Sequence, residues 1–355
     1  MMYSEPRRMR AWGRGGLAVA AIVLCVVAGV DGQDREPGGL RLTAIDVEGG
    51  AATLVVTPAG ESILIDAGNP GGRDAARIRE AVKAAGLTQI DHYVTTHWHA
   101  DHFGAAPELA REVPILHWYG HRVPEPPGQD INAELLAAWR GVAGEPRFLS
   151  AGDSIELKGT RGAPDPKLRV LAADGLVVGE EEGAPAVRTC EDGHEARPED
   201  PSDNARSLAL LLTYGAFDVF AGGDLTWNVE HKLTCPRQLV SKVDLFLVNH
   251  HGLDSSNHPA LVEALSPTVA IVNNGPRKGA EPRTMNLLLE TSGDHGVFQL
   301  HRNVREGAVN TEPGRIANDA EACQAVPLHV RVDRRARRFT VEVPSRATER
   351  TYPVQ

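Results

Sequence analysis

The residues with the clearest chemical potential form one short string, Thr96-His97-Trp98-His99-Ala100-Asp101-His102-Phe103-Gly104. It directly follows an apolar run, His92 to Thr95, that reads as a strand. In extended backbone His97, His99 and Asp101 point to one side, and His102 comes round as the chain turns into the next helix. Four donors thus converge from six residues. Imidazole nitrogens and a carboxylate suit Zn2+ or a similar borderline cation, and the mixture suits a pair of cations. Chance would place this HxHxDH string in roughly one such chain per thousand, so histidines scattered on a surface loop are the weaker reading.

Two further pieces sit at strand ends. Phe217 to Ala221 runs into Gly222-Gly223-Asp224, and Val243 to Val248 runs into Asn249-His250-His251-Gly252. An Asp after Gly-Gly is commonly a turn residue, and a His-His pair can be a core group. Beside HxHxDH both become candidate ligands, with Asp224 able to bridge two cations.

The elements that must position these groups follow from periodicity. Leu42 to Val47, Ala52 to Thr57 and Ser62 to Asp66 read as hairpin-linked strands, and Arg73 to Ala85 reads as an amphipathic helix closed by Gly86. After a helix at Pro107 to Glu112, a strand at Pro114 to Trp118 and a helix at Asn132 to Arg140, residues 174 to 203 are rich in Gly, Pro and acids without period. They read as a surface insertion. Strands are then expected at Ser207 to Thr213, Phe217 to Ala221, Val243 to Val248, Val269 to Val272, Val297 to His301, Leu328 to Val332 and Phe339 to Val343. Helices are expected near Leu225 to Lys232, Pro259 to Leu265 and Arg283 to Glu290. Strand clusters in both halves, each with covering helices, predict an α/β fold of two sheets between helices, one domain over about residues 40 to 345.

Composition narrows the function. The chain has 355 residues, 42% hydrophobic and 24% charged, which are globular values. Residues 1 to 15 carry four arginines, and Leu17 to Val30 is apolar but short for a membrane span, so residues 1–32 read as a signal peptide or an uncleaved N-terminal anchor. An exported protein, periplasmic or extracellular, is expected, touching membrane through that segment alone. The net charge is -10, and about -13 without the leader's charges. That disfavours a broad grip on duplex nucleic acid and points to a small-molecule substrate. Of Cys190, Cys235 and Cys323, the first two are expected to pair, leaving Cys323 free, with three free thiols as the competing expectation. No Gly-x-Ser-x-Gly elbow or P-loop supports serine hydrolase or kinase chemistry.

With Ile63-Leu64-Ile65-Asp66-Ala67-Gly68, the THxHxDHxG string and Gly223-Asp224 in this order and spacing, the sequence resembles the metallo-β-lactamase superfamily of hydrolases. Asn204-x-x-Ser207-Leu208-Ala209-Leu210 and His250-His251-Gly252 look like the branch containing the hydrolase domain of ComEC-type DNA-uptake proteins, here without a membrane channel. The resemblance implies an αββα four-layer sandwich and a metal-dependent hydrolase with two Zn2+, or Mn2+, at the edge of the sheets. It implies that His97 and His99 hold the first metal, Asp101 and His102 the second, that Asp224 bridges, and that His250, or else His251, completes the second site. Asp66 and Asn204 would support the ligands, and Asp101 would accept a proton from the attacking water. Many members supply a third imidazole to the first metal just before the strand that begins here at Ser207. This chain has Asp203-Asn204 there, so another histidine must serve or the first metal is weakly held.

Other polar groups are candidates for substrate. His301 ends a strand and would protonate a leaving group, although a structural histidine is the plainer reading. Asn274, Arg277 and Lys278 follow a strand and offer a polar turn with two cations for an anionic group. Phosphoesters are the expected substrates; a lactonase or β-lactamase activity, or a binding module with a degenerate site, are the alternatives.

Overall fold

The computed structural model describes residues 38–180, 194–293 and 295–355. The leader and Cys190 lie outside them. Two sheets form the centre. The first has the spatial order Thr348–Pro353, Arg338–Val343, Leu328–Val332, Arg41–Ala44, Thr53–Val56, Ser62–Ile65, Ile90–Val94, Ile115–Gly120 and Arg147–Phe148. The second runs Ile316–Asn318, Val297–His301, Val269–Val272, Leu245–Leu247, Phe217–Ala221, Ala209–Tyr214, Pro166–Ala173 and Ser154–Glu156, with Leu176–Val177 paired to Pro166–Ala173.

Alternation explains the layers. Ile63, Ile65 and Val94 face the second sheet and pack with Leu210, Leu245, Leu247, Ile271 and Phe298. Their neighbours Leu64 and Tyr93 face outward, where Ile78 and Val82 of helix Arg73–Ala84 and Trp139 of helix Ala133–Ala143 cover them. On the far side Phe220, Phe246 and Ala270 meet helices Pro259–Leu265 and Pro282–Ser292. Both faces of the central strands of each sheet are therefore buried, and the order is helix, sheet, sheet, helix: the αββα sandwich. Among the described residues no helix is long and apolar enough to cross a membrane.

Ser62–Ile65, Ile90–Val94 and Ile115–Gly120 run parallel, as do Phe217–Ala221, Leu245–Leu247, Val269–Val272 and Val297–His301. Parallel neighbours end on one edge, so the loops that follow them collect there. Every candidate ligand lies in such a loop.

Some elements escaped the sequence reading. Pro166–Ala173 is an eight-residue strand with Lys167 and Arg169 exposed between buried Pro166, Leu168 and Val170. Its proline start and two cations obscure an otherwise regular alternation. Within the stretch read as an insertion, Leu176–Val177 is a short strand and Asp203–Arg206 a 3-10 turn, while 181–193 lie outside the described residues. The first sheet runs on past residue 345 through Thr348–Pro353, a strand too polar to register as one. Cys235 is engaged in a disulfide and Cys323 is a free thiol.

A buried charge ties the sheets beside this edge. His121, after Ile115–Gly120, is fully buried, with Nδ1 3.1 Å from Asp174 Oδ1 and Nε2 3.0 Å from Asp203 Oδ2. Burial alone would discharge the ring; the two carboxylates outweigh it and hold its pKa up to about 9. His121→Ala should cost about 2–4 kcal/mol, given that Asp174 is partly open to water. Because the folded pKa exceeds the unfolded value, the loss should be full below pH ~6.5 and fade as pH rises through ~9. Denaturant melts of both proteins from pH 6 to 10 check this; a pH-independent difference would refute the charged pair.

Candidate metal centre

The histidine loop is shaped by one carboxylate. Asp66, after strand Ser62–Ile65, accepts from Thr96 N (2.7 Å), Thr96 Oγ1 (2.8 Å) and His102 Nδ1 (2.8 Å). These bonds fold residues 95–99 into a tight turn that enters the short helix Ala100–Phe103. Opposite, Asp224 arrives through two glycines, Gly222 packed against the neighbouring loop of its own sheet and Gly223 against the histidine loop of the other. A Cβ on Gly222 would lie 2.4 Å from Asn249 Oδ1, and one on Gly223, whose φ is +57°, 2.8 Å from Thr96. His250 and His251 both adopt left-handed backbone, with φ of 52° and 54°. Non-glycine residues hold that conformation only when their surroundings enforce it. The brace is Glu230, buried in helix Trp227–Lys232, which accepts from Asn249 Nδ2 (2.6 Å), Asn257 N (2.9 Å) and His258 N (2.7 Å).

The donors converge on Asp224. Ligand atoms of Asp101, His102, Asp224 and His251 all lie within 4.8 Å of one another. His102 Nε2 is 3.2 Å from Asp224 Oδ1, and His251 Nε2 is 3.4 Å from Asp224 Oδ2 and 3.2 Å from Asp101 Oδ2. His97 Nε2 and His250 Nε2 also lie near this carboxylate, 3.8 and 3.5 Å from Asp224 Oδ2. The His99 ring sits 4.7 Å from that of His97. Asp66, Thr96, His102, Asp224, His251 and Asn273 line a cavity of about 30 Å³, room for ions and water.

Each imidazole has its outer nitrogen occupied. His102 Nδ1 donates to Asp66, His251 Nδ1 to the Asn273 carbonyl (3.2 Å), His97 Nδ1 to Thr96 Oγ1 (3.1 Å), and His99 Nε2 to Asp130 Oδ2 (2.8 Å). His250 Nδ1 is paired with Ser256 Oγ at 3.0 Å. An outer N–H that is donated leaves the inner nitrogen as a bare lone pair. His102 Nε2 and His251 Nε2 then face each other at 3.2 Å as two acceptors, and His97 Nε2 is buried with no hydrogen-bond partner. Two ligands at ~2.1 Å from a tetrahedral cation lie about 3.4 Å apart. The spacings around Asp224 fit that arrangement, so this donor set fits a divalent pair.

Electrostatics agrees. Burial opposes charge on Asp224, but His102, His251 and His250 around it hold its carboxyl well below the usual range, and Asp101 is likewise held far down against burial by His102, His251 and Lys278. Burial and the neighbouring His102 push His97 well below an ordinary imidazole. His102 and His251 go the other way, raised against burial by Asp224 and Asp101, with Asp66 adding to His102. A proton and a cation thus compete for the same lone pairs.

His97, His99, Asp101, His102, Asp224, His250 and His251 come together, with Asp66 and Asn204 touching ligands: Asn204 Nδ2 lies 3.4 Å from His250 Nε2. His251, the alternative named for the second site, joins Asp101, His102 and Asp224, while His250 Nε2 lies 3.5 Å from Asp224 Oδ2 outside that group of four. Lys278 Nζ bonds Asp101 Oδ2. Asn274 is buried and spends its amide on the Gly275 and His301 carbonyls, and Arg277 pairs with Glu321 at the surface. His301 is fully buried against Asp46 (2.7 Å) rather than open to a leaving group. Sequence reasoning missed Asp130, which lies in a Pro- and Gly-rich loop with no periodic signal, and Asp203, which accepts from Trp98 N at 2.6 Å.

Asp130→Ala should weaken metal affinity roughly 10- to 100-fold by freeing the His99 ring, with little change in melting temperature. Competition against a chromogenic chelator measures it, and unchanged affinity would remove Asp130 from the centre. Affinity of the wild type should rise with pH through the imidazole range, with protons released on binding. Calorimetric titration in buffers of different ionisation enthalpy would reveal their absence.

Residues 45–194 match the family model of the metallo-beta-lactamase superfamily. The chain is similar to ComE operon protein 3 of Bacillus subtilis (strain 168), 26% identical over 197 residues covering 54% of this chain and 21% of that protein. It is similar also to Recombination protein 2 of Haemophilus influenzae (strain ATCC 51907 / DSM 11121 / KW20 / Rd), 23% identical over 240 residues covering 66% and 24%. The chain spans about a fifth to a quarter of the length of these relatives. Among solved structures it is similar to the CmlA beta-hydroxylase E377D mutant, at 16% identity over 73% of this chain and 52% of that one, with a TM-score of 0.43. The family match over residues 45–194 identifies a metallo-beta-lactamase domain there, and the sandwich and this donor set agree with it.

Proposed function

We propose that the protein hydrolyses small anionic phosphoesters outside the cytoplasm, using a zinc pair. The observation that carries the reading is the wiring of the histidines: outer nitrogens tied, inner lone pairs gathered around Asp224. His97, His99 and His250 would hold one cation, Asp101, His102 and His251 the other, and Asp224 both. Such a pair, when bound, supplies hydroxide at neutral pH and shields charge on a phosphoryl oxygen.

The chain's own groups do the rest. Asp101 Oδ2, one-fifth exposed at the rim of the cleft, is placed to take up the proton of the attacking water. Lys278 Nζ, on that same oxygen and half exposed, can hold an anionic substrate oxygen or return a proton to the leaving group. Asp66 and Glu230 hold the two ligand loops still, which preserves the alignment the reaction needs.

The resemblance to ComEC-type DNA-uptake proteins favours phosphoesters, while the net charge of -10 favours small ones over duplex DNA. Export is supported by the arginine-rich apolar leader and by the disulfide state of Cys235, which suits an oxidising compartment.

The test is a panel of chromogenic phosphodiesters, phosphomonoesters, lactones and β-lactams with added Zn2+ or Mn2+. Phosphoester turnover is expected, with little dependence on salt; turnover of lactones or β-lactams alone would replace the substrate assignment. His99→Ala and Asp101→Ala should abolish hydrolysis while leaving folding nearly intact, and Lys278→Ala should lower kcat/KM roughly 10- to 100-fold. Wild-type rates in all three would reject the site.

A further inference from the structure

A second group of ligand-type side chains sits at the same strand ends, and the hydrolytic centre uses none of it. Asp46 follows Arg41–Ala44 in the first sheet, His301 ends Val297–His301 in the second, and Cys323 comes from the loop after Ile316–Asn318. Asp46 Oδ1 lies 2.7 Å from His301 Nε2, Cys323 Sγ donates to Asp46 Oδ2 at 2.6 Å, and Sγ lies 3.8 Å from Nε2. The three ligand atoms are within 4.8 Å of one another. Asp46 and His301 are sealed from water, whereas Cys323 is partly open and gives an ion a way in.

The group makes poor sense as a nucleophile. Burial and the adjacent Asp46 carboxylate push the Cys323 thiol up to about 12, so at neutral pH it keeps its proton, and Asp46 rather than His301 receives its hydrogen bond. Hydrogen bonding within the cluster does not use the whole ring, since among the described residues His301 Nδ1 is buried with no hydrogen-bond partner. A sulfur, an imidazole nitrogen and a carboxylate oxygen converging on one point are instead the donors of a thiophilic divalent cation.

Ligand atoms on a tetrahedral zinc lie ~3.3–3.7 Å apart, so the Sγ–Nε2 distance is close to what a cation requires. The two contacts to Asp46 are shorter because protons fill them. Charge is arranged for the exchange. Arg77 lies 3.5 Å from Asp46 Oδ2 and 2.8 Å from Glu48, and Arg73 lies 2.9 Å from Glu48, so the acids are balanced while the thiol is neutral. An entering cation expels the thiol proton to solvent, the Nε2 proton of His301 passes to Nδ1, and bonds form from the cation to the freed sulfur, Nε2 and the Asp46 carboxylate. Arg77, 3.4 Å from Sγ, then donates to the thiolate.

We propose that Asp46, His301 and Cys323 form a separate site for a thiophilic divalent cation, zinc foremost, which staples the two sheets and the Cys323 loop together next to the hydrolytic centre. Cobalt is the probe, because the hydrolytic centre contains no sulfur. Full-length protein titrated anaerobically with Co2+ should develop a sulfur-to-cobalt charge-transfer band in the near ultraviolet, saturating at one equivalent per chain and lost in Cys323→Ser. That variant should retain hydrolysis and the remaining cobalt. Alkylation of Cys323 by iodoacetamide in the wild type should slow at least tenfold with Co2+ bound, a measurement that needs no variant to fold. Absence of the band at saturation, its persistence in Cys323→Ser, or equal alkylation rates with and without Co2+ would overturn the site without touching the assignment of the hydrolytic centre.

Discussion

Asp66 is 1% exposed, so its carboxylate has exchanged water for protein donors, and burial raises its pKa even though Thr96 and His102 pull the other way. A charge so placed costs several kcal/mol unless its lone pairs are filled. They are filled by the backbone and hydroxyl of Thr96 and by His102 Nδ1, and Thr96 Oγ1 in turn receives His97 Nδ1. One oxygen pair therefore sets the turn of the histidine loop, the tautomer of His102 and, through a hydroxyl, that of His97. Asp66 itself stands at φ +58°, the point where the strand bends away from its sheet. The ligands on this side inherit their aim from that bend.

The second sheet meets this loop by a different device. Its contribution is closeness: Gly222 and Gly223 pack where any side chain would strike Asn249 or Thr96, so Asp224 is delivered within reach of histidines from both sheets. Glu230 then plays for the His250-His251 turn the part that Asp66 plays for the other loop, a buried acid accepting several donors, with burial holding its pKa up to about 7. Parallel strands bring the loops to one edge, and the two buried acids convert proximity into orientation.

This division explains what was legible in the sequence. HxHxDH, Asp66 and Gly223-Asp224 are local: each sits immediately after an apolar run, and strand alternation alone predicts which way they face. The sharing of His250 and His251 is not local. Two adjacent residues with left-handed backbone both bring Nε2 to Asp224, and no periodicity encodes that. Asp130 and Asp203 reach the histidine loop from more than thirty residues away with several elements between, and nothing local shows what His301 meets, because its partner Asp46 comes from the other sheet. The sandwich was legible because both faces of the central strands are apolar, whereas Pro166–Ala173 hid behind Lys167 and Arg169.

The same wiring bears on how the centre forms. Five imidazoles and the carboxylates of Asp101 and Asp224 crowd one edge, and with outer nitrogens already donated their inner lone pairs repel one another. Without a cation, the carboxylates of Asp224 and Asp101 hold His102 and His251 up against burial, while burial and the neighbouring His102 hold His97 down. A divalent pair removes the conflict at every lone pair at once. The buried acids and the left-handed turn at His250 and His251 are costs that the fold bears before any ion arrives, and they leave the ligands preorganised, so little of the binding energy goes into arranging the site.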